Sequence, residues 1–367
     1  MRTTDVLVVG GGPAGLATAI AARLKGLRAV VVDSRIPPID KPCGEGLLPQ
    51  AVESLSRLGI RLDSIRALPL DGIRFSDEHS SSVAKFASRT AFGMRRIALH
   101  AALVARSIEL GVTLRWGVRV ANLSFRGACI GGEFLPCSWI VGADGQHSIV
   151  REFARLGPRR PQRFRFGFRR HYAVAPWSNV VEVYWAEKSQ LIVTPISAGE
   201  ICITLFSSDS RLRIDRALDR FPAVAKHLRN VTPTSTEAGS ITSLSGARGV
   251  ARRNIALVGD ASCTVDGIAG QGMSLAFRQA VALADALAAG DLSGYASSHR
   301  QITKMPVRMS RLLLLMNASV PLRSTILRVF ARHPAVFSKM ISLHIGQPLP
   351  ASATVEIRDI GWRALRV

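Results

Sequence analysis

The stretch DVLVVGGGPAGLATAIAARLKGLRAVVVD, residues 5–33, decides the fold. Asp5 to Gly10 is a short valine-rich run, the pattern of a parallel strand buried on both faces. Three glycines, Pro13, Ala14 and Gly15 follow, and Leu16 to Lys25 then sets alanines and leucines at helical spacing. Gly26 closes that helix, and Arg28 to Asp33 forms a second valine-rich strand whose acid stands 18 residues beyond Gly15. The order strand, glycine turn, helix, strand predicts the opening unit of a doubly wound α/β domain.

Each piece has a physical task. Gly10 permits the tight turn, Gly12 lets a pyrophosphate approach the backbone, and Gly15 allows the helix to pack closely on the strand. The helix N-terminus offers free N–H groups and the positive end of its dipole to phosphates. Asp33 supplies acceptors for a ribose diol. These residues specify a dinucleotide without saying which one, because NAD and FAD share the adenosine half.

Two more acids follow buried strands. Residues 139–145 read WIVGADG and lead through a turn into a helix that starts at Ser148. Residues 255–260 read IALVGD, followed by Gly267, Gly270 and Gly272 and a helix from Met273 to about Ala289. With these three motifs in order, residues 5–290 resemble the flavoprotein superfamily of single-component aromatic hydroxylases and geranylgeranyl reductases.

The resemblance implies FAD as the cofactor, with Gly10, Gly12, Pro13, Ala14, Gly15, Asp33 and Ser34 around its adenosine and pyrophosphate half. It also implies roles for Asp144-Gly145 and Gly259-Asp260, Asp260 being the ribitol ligand. Gly270 and Gly272 would face the flavin's pyrimidine edge, where backbone N–H groups and the helix dipole favour the reduced, anionic ring. Arg96 lies in register with the family's cofactor-contacting arginine, ahead of Arg95. A cation at a helix start runs against the dipole, which fits a bound anion. Lys41 to Pro49 reads KPCGEGLLP and resembles the reductase branch, where a Cys-Gly pair lies beside the isoalloxazine; Cys43 and Gly44 are the matching residues.

Residues 160–210 alternate like antiparallel strands, and a sheet there would roof the flavin and hold substrate, with Tyr184 and Trp185 as candidate pocket walls. The Tyr-x-Trp-x-Phe-Pro element of geranylgeranyl reductases is only partly echoed around Tyr184, and the Trp-x-Trp-x-Ile-Pro element of flavin halogenases is absent. Where many hydroxylases carry His and Pro after Gly-Asp, this chain has Cys263 and Gly267. These departures concern the reaction subtype, not the cofactor.

The expected fold is therefore α/β, a Rossmann-type FAD domain with an inserted antiparallel substrate domain and a helical C-terminal tail. The segments are 1–70, 96–158 and 246–291 for FAD, 71–95 and 159–245 for substrate, and 292–367 for a basic helical region. Five scattered cysteines with no C-x-x-C pair predict reduced thiols and no metal site. No run nears the roughly 18 apolar residues of a spanning helix, and Met1 to Thr4 leads straight into a strand, so a cytoplasmic protein is expected, with peripheral membrane contact as a second reading.

The net charge of +22 is mostly arginine and suits polyanions, but no aromatic-interleaved nucleic-acid module accompanies it, so no nucleic-acid partner is expected. No acid occurs from Leu292 through Val355, and Arg300, Lys304, Arg308 and Arg311 share one helix face. That face suits an anionic membrane or simply water. Oligomeric state is not legible.

No protein nucleophile stands out, so the flavin carries the chemistry. The leading reading is an NAD(P)H- and O₂-dependent monooxygenase of an apolar or aromatic metabolite, with NAD(P)H bound transiently because no second nucleotide unit is present. The alternatives are a reductase of isoprenoid carbon–carbon double bonds and a flavin-bearing binding or redox-partner protein.

Overall fold

Strand Thr4–Val9 buries Val6, Leu7 and Val8 completely, which only a strand covered on both faces can do. A computed structural model describes residues 4–63, 65–86, 91–157 and 164–347 and places this strand in the middle of the principal sheet. The order is Ala251–Arg252, Ile255–Leu257, Glu133–Gly142, Thr4–Val9, Ala29–Asp33, Thr113–Trp116. All pairings in that series are parallel except the antiparallel edge pair Ala251–Arg252 with Ile255–Leu257. The carboxyl ends of Thr4–Val9, Ala29–Asp33, Glu133–Gly142 and Ile255–Leu257 lie side by side, where ligands bind in such sheets. Helix Pro13–Leu24 packs its small residues Ala17 and Ala21 in one core with Phe277 and Ala280 of helix Gly272–Ala288.

A second sheet of seven strands stands against this layer, in the order Ala238–Ser243, Phe164–Tyr172, Glu200–Ser207, Ser189–Ser197, Val181–Ala186, Gly72–Ser76, Ser81–Lys85. It is antiparallel save for one pairing, Val181–Ala186 with Gly72–Ser76, which runs parallel and joins strands more than a hundred residues apart in sequence.

Helices Ser293–Ala318, Val320–Arg332 and Pro334–Ile345 close the described chain. They are not an appendage: Met309, Leu313, Phe330, Phe337 and Ile341 share one buried cluster with Phe75, Val183, Trp185 and Phe206 of the second sheet. The start of helix Ser293–Ala318 instead packs on the dinucleotide layer, where Tyr295 shares a core with Val6, Val141 and Leu283 and donates its hydroxyl to Leu257 O at 2.7 Å, so these helices bridge the two layers. Among the described residues, no single helix is long and apolar enough to cross a membrane.

Candidate active site

A cavity of about 970 Å³ runs from the carboxyl ends of the parallel strands to the second sheet and the C-terminal helices. At its first end the chain leaves Thr4–Val9 through Gly10, whose φ of +110° and contact with the Ala143 carbonyl leave no room for a Cβ. Gly12 is the N-cap of helix Pro13–Leu24, with no side-chain cap and no acid in the first turn. Its N–H groups therefore end unpartnered by side chains at a wall formed by Gly12, Pro13 and Ala14. A Cβ at Gly12 would meet no protein atom within 4 Å, whereas one at Gly15 would strike the Gly10 carbonyl. Gly15 is accordingly not on the cavity wall, and its task is packing the helix on the strand.

Five of the expected polar residues line this end: Asp33, Ser34, Arg96, Asp144 and Asp260. Asp33 accepts from Gly11 N–H at 2.7 Å through Oδ2 and stands beside Ser34 on the wall. Asp144 accepts from Ile149 N–H at 2.8 Å through Oδ2, while its buried Oδ1 has no partner; burial pushes its carboxyl pKa up. Asp260 pairs with Lys41 Nζ at 2.8 Å. Arg96 opens helix Arg96–Glu109, is 7% exposed, and donates through Nη1 to Ile39 O at 2.8 Å. Arg95 points instead to Glu200 and His171 and is absent from the wall. Gly145, Gly259, Gly270 and Gly272 complete the lining, Gly270 at φ +64° turning the chain into a helix whose first turn holds no acid.

These features fit a dinucleotide with a flavin ring: an uncapped helix start, a vacant Cβ position at Gly12, an orphaned acceptor at Asp144 and a second uncapped helix start at Gly272. Cys43 and Gly44 also line the cavity. The Cys43 sulfur accepts from Glu45 N–H at 3.4 Å, and burial raises its pKa, so it remains a thiol rather than a reactive thiolate.

The far end is apolar. Ile73, Phe75, Val181, Val183, Ile192 and Phe206 face it from the sheet, and Met309, Leu313, Met340 and Ile341 from the helices. No charged side chain comes from either source, since the one ionisable group, His344, has its pKa pushed down to about 4 by burial and stands neutral. The expectation for Tyr184 and Trp185 fails. Tyr184 lies on the opposite sheet face and donates its hydroxyl to Glu182 at 2.7 Å. Trp185 shares the inward face with Val181 and Val183 but sits past the cavity's end, edge-on to Phe75 at 5.8 Å.

Sequence reasoning missed a buried polar chain that meets the cavity between its two ends. Glu45, flanked by Gly44 and Gly46, has φ +58° and is 2% exposed, yet lines the cavity. Its Oε1 accepts from Arg96 N–H at 3.0 Å and its Oε2 meets His171 Nε2 at 2.7 Å. His171 Nδ1 accepts from Arg95 Nη1 at 2.7 Å, while Arg169 Nη1 lies near both ring nitrogens, at 3.0 Å from Nδ1 and 3.1 Å from Nε2. The Arg95 guanidinium can only donate and touches Nδ1, and the Glu45 carboxylate can only accept and touches Nε2, so Nδ1 holds the lone pair and Nε2–H donates to Glu45. Arg169 continues to the exposed Asp40 at 2.6 Å.

Cys202 brings a third ligand-type atom within 4.8 Å of those of Glu45 and His171, but two guanidinium groups already occupy the cationic place there. The signal was present. Arg165, Arg169 and His171 put polar groups on one face of a strand whose other face carries Phe164, Phe166, Phe168 and Tyr172, and Glu45 is a lone acid between glycines.

A sequence profile described as an FAD binding domain matches residues 3–303. The menaquinone reductase of Mycobacterium tuberculosis is 27% identical over 337 residues, covering 79% of this chain and 78% of that protein. A 3-(3-hydroxy-phenyl)propionate/3-hydroxycinnamic acid hydroxylase of Mycobacterium sp. (strain JLS) is 30% identical over 164 residues, covering 40% of this chain and 29% of that protein. Among solved structures, the flavin-dependent brominase Bmp2 superposes with a TM-score of 0.79 at 17% identity, covering 98% of this chain and 99% of that one. This last likeness is one of fold.

Proposed function

The chain belongs to the FAD binding domain family and is an FAD-dependent oxidoreductase, and from that premise we propose that it is an NAD(P)H- and O₂-dependent monooxygenase of an apolar, chain-bearing or aromatic metabolite. The observation that carries the substrate class is the uncharged far end of the cavity, walled by Phe75, Val183, Phe206, Met309 and Leu313. An apolar wall gives a charged metabolite no compensation for its lost hydration. It also excludes water from the reacting centre.

When bound, FAD supplies the electron transfer from NAD(P)H and the activation of O₂. The balance is one substrate C–H, one O₂, one NAD(P)H and one proton giving the hydroxylated product, water and NAD(P)+. In the proposal, Asp33 and the Gly12–Ala14 backbone hold the adenosine and pyrophosphate half, and Asp260, with Lys41, holds the ribitol. The backbone N–H groups after Gly270 lie where negative charge on the reduced ring would be favoured. Glu45 sits where the loop carrying Cys43 and Gly44 meets the substrate sheet. Its carboxylate can take a proton from a substrate hydroxyl, with His171 Nε2–H holding it in place.

A reductase reading is favoured by the 27% identity to menaquinone reductase along most of both chains. Against it, the Cys43 thiol is not activated: it is half-buried, accepts from Glu45 N–H, and desolvation raises its pKa. Measuring O₂ uptake against a panel of phenols with and without alkyl tails tests the proposal. Uptake and NAD(P)H oxidation should rise together for the tailed compounds; rapid turnover of small charged phenols alone would contradict the substrate class.

Asp260→Ala should weaken FAD binding by about 1.5–3 kcal/mol, the loss of a charge-assisted hydrogen bond. Titration of the deflavinated protein with FAD measures it, and unchanged affinity would remove Asp260 from the ribitol.

A further inference from the structure

We propose that the corner between helices Ser293–Ala318 and Val320–Arg332 docks on an anionic lipid bilayer. The two helices meet at a bend of 116°. Around it, Leu315 is 58%, Val320 45% and Leu322 40% exposed. Three large aliphatic side chains so close together in sequence and so open to water are uncommon on a surface that meets only water.

Cations flank this corner on both helices. Lys304, Arg308 and Arg311 are exposed on the first, in line with Leu315 at helical spacing. Arg328 and Arg332 are exposed on the second. No acid interrupts the described residues from Leu292 to Gln347. Lys339 and Leu343, four apart on helix Pro334–Ile345, repeat the pairing of exposed cation and exposed leucine.

The combination selects the occupant. A polyanion such as nucleic acid would match the cations but leave the leucines without a partner. A second apolar protein face would match the leucines and strand the cations. An anionic bilayer matches both, its headgroups meeting the arginines and its acyl boundary the leucines.

The opposite sides of the same helices explain what docking would achieve. Met309 and Leu313 face the cavity while Arg308, Arg311 and Leu315 face solvent; Met340 and Ile341 face it while Lys339 and Leu343 do not. Docking therefore lays the wall of the apolar chamber against the membrane, the source of a hydrophobic substrate. Exposure and charge alone define this surface, so a failure to dock would leave the reading of the cavity intact.

The test is co-sedimentation of the full-length flavoprotein with phosphatidylcholine vesicles, with and without phosphatidylglycerol, over a range of salt. Binding to the phosphatidylglycerol vesicles should exceed that to phosphatidylcholine by about tenfold or more at low salt. It should fade as the screening length falls from about 10 Å at 0.1 M to about 3 Å at 1 M. Leu315→Ser with Leu322→Ser, and separately Arg308→Gln with Arg311→Gln, should each weaken it about tenfold, with the flavin spectrum and turnover of a short soluble substrate unchanged. Indifference of the wild-type protein to phosphatidylglycerol vesicles at low salt would overturn the proposal. So would binding that survives the leucine substitutions, which indicates charge alone, or leucine-dependent self-association without vesicle binding, which indicates a second copy.

Discussion

Gly12→Ala is expected to purify folded and colourless. The position has φ −74° and ψ −179°, an extended conformation open to alanine, and a methyl group there meets no protein atom within 4 Å. The apo-fold therefore has little reason to object. The vacant space is on the cavity wall, where the pyrophosphate must approach the backbone to reach the uncapped N–H groups of helix Pro13–Leu24. A methyl group would hold the phosphates off those donors, and FAD loading should fall below detection. Gly10→Ala supplies the contrast. There the Cβ runs into the Ala143 carbonyl at φ +110°, so the fold itself should lose stability, by about 1–3 kcal/mol or more. Denaturant unfolding of the two apoproteins separates the cases, and normal FAD content in Gly12→Ala would show that the phosphates cross elsewhere.

Glu45→Gln should retain FAD and lose about 10²–10⁴-fold in kcat, the usual contribution of a positioned general base. Glutamine keeps the shape, and its one carbonyl oxygen can still accept from Arg96 N–H, but its NH2 then meets His171 Nε2–H donor to donor, so the substitution removes the proton acceptor and one link of the buried chain together. A backbone at φ +58° held in a buried loop is a strained arrangement that the surrounding contacts must impose. His171→Gln should act through Glu45: a smaller loss of kcat, with an altered pH–rate profile rather than an altered FAD content. A kcat for Glu45→Gln within twofold or so of wild type would relegate the chain of Asp40, Arg169, His171 and Glu45 to structure.

The dinucleotide half was legible because its determinants are local. A valine run, three glycines, a helix and an acid lie within residues 5–33, and the later Asp144-Gly145 and Gly259-Asp260 motifs each follow a strand of the same sheet. Register at a helix start also singled out Arg96, which lines the cavity where Arg95 does not.

What the sequence concealed depends on distant partners. Glu45 and His171 are 126 positions apart and meet only because the second sheet packs against the loop from Lys41 to Leu48. Period-two alternation separates the faces of Val181–Ala186 but does not say where along the strand the cavity stops, which is why Val183 lines it and Trp185 does not. The C-terminal helices looked like an independent basic tail because their charged stripe is continuous in sequence. Their apolar stripe finds its partner in strands more than a hundred residues earlier.

The central claim is that the cavity hydroxylates an apolar substrate with an atom from O₂. Turnover under ¹⁸O₂ with NAD(P)H and an alkyl-bearing phenol, followed by mass spectrometry, tests it most directly. The account predicts product carrying one ¹⁸O atom in proportion to NAD(P)H oxidised. Product gaining two hydrogens and no ¹⁸O, formed equally well without oxygen, would contradict it and establish the reductase reading.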